Sequence, residues 1–225
     1  MFQKENEKYF RNEVIEQYEI GEHKNFVYLI LDKSSRSCAI VDPQEDLTEP
    51  LSALEKNGFD LTHILITHTH FDHIAGLGEL LECFHKIKFV IHQRELHRLS
   101  KNILNDKRLI AITGDETINV GSFDVMTIHT PGHSAGECCY LVPNEPAFLF
   151  TGDTVFIGDC GRTDLDTGST QEMFRSIQKL KALPPDTIIL PGHHYSLECV
   201  STIKREIATS APFKCTSASE LERLP

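Results

Sequence analysis

Residues 68–73 read His-Thr-His-Phe-Asp-His, straight after the apolar run Ile64, Leu65, Ile66 and a threonine. A short run of this kind predicts a buried strand, so the motif begins where that strand ends. Two histidines at i and i+2 on extended chain point to the same side. Asp72 and His73 then open a following helix and can turn toward the same point. Neutral imidazole and carboxylate are the ligands of zinc and of similar divalent ions, so this strand end is a candidate metal site. It requires a fold in which strand ends and their loops meet along one rim.

Three later segments share the strand-end form: Thr130-Pro131-Gly132-His133-Ser134, Phe150-Thr151-Gly152-Asp153-Thr154 and Leu190-Pro191-Gly192-His193-His194-Tyr195. Each alone is a loop residue beside a glycine. With the first motif, they make His133, Asp153 and His193 candidate completing ligands. Asp42, in Val41-Asp42-Pro43, ends another strand and is expected to hydrogen-bond a ligand histidine. His129 and His194 fall just off the pattern, with a place behind the ligands, and His63 is read as structural. Cys160 is read as a packed thiol, since no histidine–aspartate pair accompanies it. Met126 and Met173 are read as core.

Apolar runs at 26–31, 38–41, 64–67, 89–91, 123–130, 139–142, 147–150 and 188–190 read as strands. They alternate with helix-period stretches at 47–57, 74–84, 169–183 and 196–208. Gly58 stops the first helix. Ser169 and Glu172 form a capping box at the third, which Pro184-Pro185 ends. Strand–helix alternation with hairpins predicts a layered α/β fold whose sheets are not purely parallel. The chain reads as a single domain, 1–225, with a motif-bearing core at 25–195 and a C-terminal helix and tail at 196–225.

Composition narrows the partners. The 225 residues are 40% hydrophobic and 24% charged, enough for one sizeable core. No apolar run approaches the roughly 20 residues of a membrane span. Residues 1–12 are mostly charged and polar without an apolar signal segment, so the expected location is cytoplasmic, with no membrane partner. A net charge of −11 repels nucleic acid, which argues against a nuclease and a nucleic-acid partner. The seven cysteines are odd in number and form no C-x-x-C pair, so reduced thiols are expected.

Taken together, H-x-H-x-D-H, P-G-H-S, G-D-T and G-H-x-Y resemble the metallo-β-lactamase fold superfamily over roughly residues 25–195. Gly161-Arg162 and Gly192-His193-His194-Tyr195 are most similar to its glyoxalase II branch. The resemblance implies a four-layer αββα sandwich with two divalent metal ions at one edge, zinc first and iron as the alternative. It gives one ion to His68, His70 and His133, the other to Asp72, His73 and His193, with Asp153 bridging them. It further implies hydrolysis of a thioester or similar activated acyl compound by metal-activated hydroxide. Asp72 would be the catalytic group that orients the water, and Arg162 and Tyr195 the substrate contacts. A thiol leaving group, with a pKa of about 8.5, needs little help from an acid.

Glyoxalase II proper grips glutathione with a longer C-terminal helical region, whereas 30 residues follow Tyr195 here. The glutathione clamp, and lactoylglutathione as substrate, are therefore not among the expectations that the resemblance carries. Length and motif set also resemble the zinc hydrolases of bacterial polyketide clusters, which implies an acyl group on an acyl carrier protein as substrate. Docking an acidic carrier would call on a basic face from Lys179, Lys181, Lys204, Arg205 and Lys214. The alternative reading comes from Cys160-Gly161-Arg162-Thr163-Asp164, which is similar to persulfide dioxygenases. Those oxidoreductases use one iron on the equivalents of His68, His133 and Asp153.

Overall fold

The first two strands, β1 (Ile15–Ile20) and β2 (Asn25–Asp32), form an antiparallel hairpin, and β2 is buried along its whole length. Continuous burial means that both faces of the strand are covered. In the computed structural model, which describes residues 9–224, that cover is a second sheet on one side and helices on the other.

The first half continues with β3 (Ser37–Val41), α1 (Thr48–Asn57), β4 (Asp60–Leu65), the one-turn α2 (Phe71–Ile74), α3 (Leu77–Cys83) and β5 (Lys88–His92). A 3-10 turn (Gln93–Arg98), α4 (Lys101–Leu104) and β6 (Leu109–Ile112) complete it. Strands β1 to β6 lie side by side in chain order, antiparallel up to β3 and parallel from β3 onward.

The second half contributes β7 (Thr117–Val120), β8 (Phe123–His129), β9 (Cys138–Val142), β10 (Phe148–Gly152), α5 (Thr170–Lys181), β11 (Ile188–Pro191) and β12 (Ser201–Thr202). Three short helices follow: α6 (Ile203–Thr209), α7 (Ala211–Lys214) and α8 (Ala218–Leu221). Its sheet has the order β12-β11-β10-β9-β8-β7, and only β10 and β11 run parallel.

Alternation sorts the side chains into three cores. Between the sheets, Tyr28, Ile30 and Val41 of the first meet Tyr140, Phe148 and Phe150 of the second. Outside the first sheet, Leu29, Ile40 and Ile64 pack on Leu54 of α1 and Leu80 of α3. Outside the second, Leu149 and Ile189 pack on Met173, Ile177 and Leu180 of α5 and on Phe213. The layers therefore run helix, sheet, sheet, helix, which is the αββα sandwich expected from the resemblance.

The sheets are tied together where the motifs lie. Asn25 bridges His193, and Phe26 N–H donates to the Gly192 carbonyl (2.8 Å). Cys138 N–H reaches the Thr67 carbonyl (2.9 Å). No helix among the described residues is long and apolar enough to cross a membrane.

Several local expectations are corrected. The helix expected at 196–208 starts only at Ile203, capped by the Thr202 hydroxyl. Ser201 and Thr202 are first drawn into pairing with β11, which covers an otherwise open sheet edge. The helix expected at 74–84 begins at Leu77, because Gly76 separates it from α2. A Cβ at Gly76 would lie 2.3 Å from the Gln44 carbonyl oxygen. Met126 faces outward on β8 and is exposed, whereas Met173 is core as expected. Strands β1, β6 and β7 were not anticipated. All seven cysteines are free, five of them buried.

Candidate metal centre

Each turn that ends a strand at this rim has a physical reason for its residues. Gly152 has φ +49°, a region that disfavours side chains, and a Cβ there would sit 2.6 Å from Thr67 Oγ1. A Cβ on Gly192 would sit 2.5 Å from Asp153 Oδ1. The glycines therefore let backbone approach the motif strand and leave Asp153 and His193 projecting inward. Asp42 is also in the left-handed region, at φ +51°. It is held there by accepting from Thr67 N–H (2.8 Å) and Thr67 Oγ1 (2.7 Å), and it faces His73 Nδ1 at 3.0 Å. The expected bond to a ligand-type histidine is thus present, on a strained residue.

All seven predicted ligand positions come together. The structure groups His68, His70 and His133; His68, His73 and Asp153; and Asp72, His73 and His193, each set with its donor atoms within 4.8 Å. Asp153 stands between the first and last sets. Its Oδ1 is 3.4 Å from Nε2 of both His73 and His193, and its Oδ2 is 3.5 Å from His133 Nε2. Outer partners fix the rings. His133 Nδ1 faces the Arg162 carbonyl (2.8 Å), His193 Nδ1 the His23 carbonyl (2.9 Å) and His73 Nδ1 the Asp42 carboxylate. Each of these three rings therefore donates outward from Nδ1 and turns Nε2 inward.

What remains inside fits a cation. His68 Nε2 and Asp153 Oδ1 are buried without a hydrogen-bond partner. His70 Nδ1 and His133 Nε2 face each other at 2.9 Å, and His73 Nε2 and His193 Nε2 at 3.1 Å. Imidazole nitrogens this close, with the other nitrogens of His133, His73 and His193 already engaged, suit atoms that share a positive ion. Burial, then the charge of His73, holds His68 well below its ordinary range. Burial, then His133 and Arg98, pushes His70 down to about 4. Both are thus neutral at physiological pH, the form that metal ligation requires.

His73 behaves oppositely. Burial would lower it, but the carboxylates of Asp153, Asp42 and Asp72 outweigh that and raise it to about 9. At pH 7.5 the metal-free chain therefore carries a proton on His73 that a metal must displace. Zinc titration at pH 7.5, run calorimetrically in two buffers of different ionisation heat, should register release of at least about one proton per chain, the one from this group included. Zinc binding with a heat independent of the buffer would contradict the assignment.

Two buried carboxylates behind the site had no signature in the sequence. Glu137 accepts from Asp153 N–H (2.6 Å), and burial followed by the charge of Asp153 pushes its carboxyl well up. Glu95, on the 3-10 turn, accepts from Thr69 N–H (3.0 Å), Thr69 Oγ1 (2.7 Å), Gly136 N–H (2.9 Å) and Arg98 Nη1 (3.0 Å). Arg98 Nη2 continues to the Asp166 carbonyl (3.0 Å). This clamp joins the loop of His68 and His70, the loop after His133 and the loop over the cavity mouth. Glu95→Gln keeps the shape, yet sets an amide against donors and leaves Arg98 only the exposed Asp166 carboxylate at 3.7 Å. We expect it to cost about 2–3 kcal/mol in urea denaturation; a loss under about 0.5 kcal/mol would show that the clamp holds nothing.

The other predicted residues fall as follows. Asp72 accepts from Asn25 Nδ2 (3.1 Å). Burial opposes its ionisation, but His73, Asn25 and His193 outweigh it and lower its pKa. Tyr195 stacks on His193 (4.7 Å, 7°) and is largely exposed. Arg162 faces His133 through its backbone carbonyl; its guanidinium, at the cavity lip, pairs with Asp164 (2.6 and 2.8 Å). His129 ties down the Ala135 carbonyl, and His194 pairs with Glu19, both behind the rim. His63 bonds Thr62 on β4, away from the site. Burial, then Asp159, raises the Cys160 thiol to about 12, which fits a packed thiol.

The cluster opens into a cavity of about 540 Å³ whose lining includes His70, Asp72, Asp153 and His193. A larger one, about 900 Å³, lies by Phe10, Pro146 and Val200 and has no histidine or cysteine among its lining residues. Chemistry, not volume, selects the smaller.

The sequence model of the metallo-beta-lactamase superfamily matches residues 20–193. BaeB of Bacillus velezensis, named a probable polyketide biosynthesis zinc-dependent hydrolase, is 37% identical over 172 residues, 76% of this chain and 73% of its own. PksB of Bacillus subtilis, named likewise, is 33% identical over 181 residues, 80% of this chain and 77% of its own. Among solved structures, ETHE1 from Myxococcus xanthus superposes with a TM-score of 0.79 at 26% identity, over 94% of this chain and 92% of that one.

Proposed function

We propose that this chain, which belongs to the metallo-beta-lactamase superfamily, is a metal-dependent hydrolase of activated acyl compounds, thioesters above all. The observation that carries the reading is the joint placement of six imidazole and carboxylate side chains around Asp153. His68, His70 and His133 would hold one ion and Asp72, His73 and His193 the other, with Asp153 shared. Zinc is the proposed metal, in line with the names of the two Bacillus relatives. When bound, such ions supply Lewis acidity, which yields hydroxide near neutral pH and polarises a carbonyl.

The chain's own residues do the rest. Asp72, ionised and steadied by Asn25, is a hydrogen-bond acceptor at the cavity floor that orients the attacking water. Burial, then Asp153 and Asp72, raises the Tyr195 phenol, so it keeps its proton and can donate to substrate. Arg162 spends Nε and Nη2 on Asp164 and has Nη1 left for a carbonyl of the substrate. A thiolate leaving group needs no proton at departure, and the site supplies no dedicated acid.

The relatives' names also support a setting in polyketide biosynthesis; an acyl carrier protein that bears the acyl group is the partner proposed for it. The basic face sketched for that partner is partly engaged: Lys179 pairs with Asp115, Arg205 with Glu198, and Lys181 caps the Phe213 carbonyl.

The test is a panel of acyl thioesters, glutathione persulfide and a generic phosphodiester, offered to purified protein of measured metal content. Zinc-dependent thioester cleavage is expected. One iron per chain with oxygen uptake on the persulfide, and no thioester turnover, would replace the reading with the oxidoreductase one.

A further inference from the structure

The mouth of the cavity is apolar where it need not be. Phe71 is 69% exposed, Tyr195 61% and Leu165 36%, and all three line this one cavity. Single exposed apolar side chains need no explanation, but three from separate loops around one reactive centre form a patch.

The surface is also fixed in place. Phe71 is the first residue of α2, held between His70 and Asp72, and its ring meets the edge of His23 (5.4 Å, 80°). Tyr195 stacks on His193 and meets Phe156 edge-on (5.2 Å, 77°). Leu165 precedes Asp166, whose carbonyl Arg98 holds. Apolar groups pinned while exposed are pre-organised to be covered, at little further entropic cost.

Charge at the lip is spent. The Arg162 guanidinium faces Asp164, and that of Arg98 faces Glu95 (3.0 Å) and Asp166 (3.7 Å). An anionic substrate tail would meet neutral pairs there instead of a free cation.

We infer that the acyl group this site accepts is an uncharged, apolar chain that lies against Phe71 and Leu165. The inference rests on the hydrolase reading and sharpens it to a substrate class. A fully buried methylene is worth about 0.8 kcal/mol, or about fourfold in kcat/KM, so a half-covered one gives about twofold.

The experiment uses the full zinc-loaded chain with acetyl, butanoyl, hexanoyl and succinyl thioesters of N-acetylcysteamine, a neutral thiol. From acetyl to hexanoyl, kcat/KM should rise about 16-fold, four methylenes at twofold each. Succinyl, with its carboxylate, should fall below butanoyl. Phe71→Ala and Leu165→Ala should each cut the hexanoyl-to-acetyl ratio at least threefold. Their melting curves should match the parent's, since both side chains are largely outside the core. A flat series, a succinyl preference, or a ratio unmoved by both variants would overturn the apolar-chain assignment while leaving the hydrolase reading intact. No turnover of any thioester would overturn both.

Discussion

Asp153→Ala should abolish activity, lowering kcat/KM on a thioester by at least about 10³-fold, or roughly 4 kcal/mol of transition-state stabilisation. The size follows from position. Asp153 is the only one of the seven whose two oxygens reach both halves of the site, toward His73 and His193 on one side and His133 on the other. Its charge is also the strongest of those that raise His73 against its burial. Without it, two sets of imidazoles remain with no anion between them. Because Glu137 is bonded to the Asp153 backbone N–H, the alanine variant keeps that anchor and should fold. A circular dichroism spectrum like the parent's, with activity lost, is the expected pair of results. Activity within tenfold of the parent would show that Asp153 is not part of the working site.

Asp42→Ala should have the largest effect on stability, about 3–5 kcal/mol in urea denaturation of the metal-free chain. Three costs combine. Thr67 N–H loses its acceptor in a buried place. Thr67 Oγ1 and His73 Nδ1 lose theirs. Alanine must then hold φ +51° without the side-chain bonds that support aspartate there. Asp42→Asn should cost less, because an amide oxygen still accepts from Thr67. If Asp42→Ala and Asp42→Asn were equally mild, below about 1 kcal/mol, the strained turn would not depend on its carboxylate.

The legible part of this molecule is what sequence proximity encodes. His68, His70, Asp72 and His73 announce themselves because two steps on a strand and one turn of helix are short enough to read directly. His133, Asp153 and His193 are legible because each follows an apolar strand and a proline or glycine turn. The long-range partners were not. Glu95 and Glu137 sit in segments that look like any polar loop, and only the fold reveals that both are wholly buried. Their neighbours Thr69 and Gly136 give no hint, since backbone N–H groups carry no residue signature. Strand β1 hid because Glu16, Gln17 and Glu19 break up its apolar residues. The helix expected at 196–208 failed for a related reason: residues 196–202 have helix-compatible side chains, but the exposed edge of β11 claims Ser201 and Thr202 first. Arg162 has a second part that its residue type does not announce: besides its charge, its backbone carbonyl orients His133.

Metal content of the purified chain, counted by mass spectrometry beside that of Asp153→Ala, bears on all of this most directly. Two zinc ions per parent chain are predicted, one for each of the outer ligand groups, with at least one lost in the variant. A parent chain that carries no transition metal, or a variant that keeps the full complement, would contradict it.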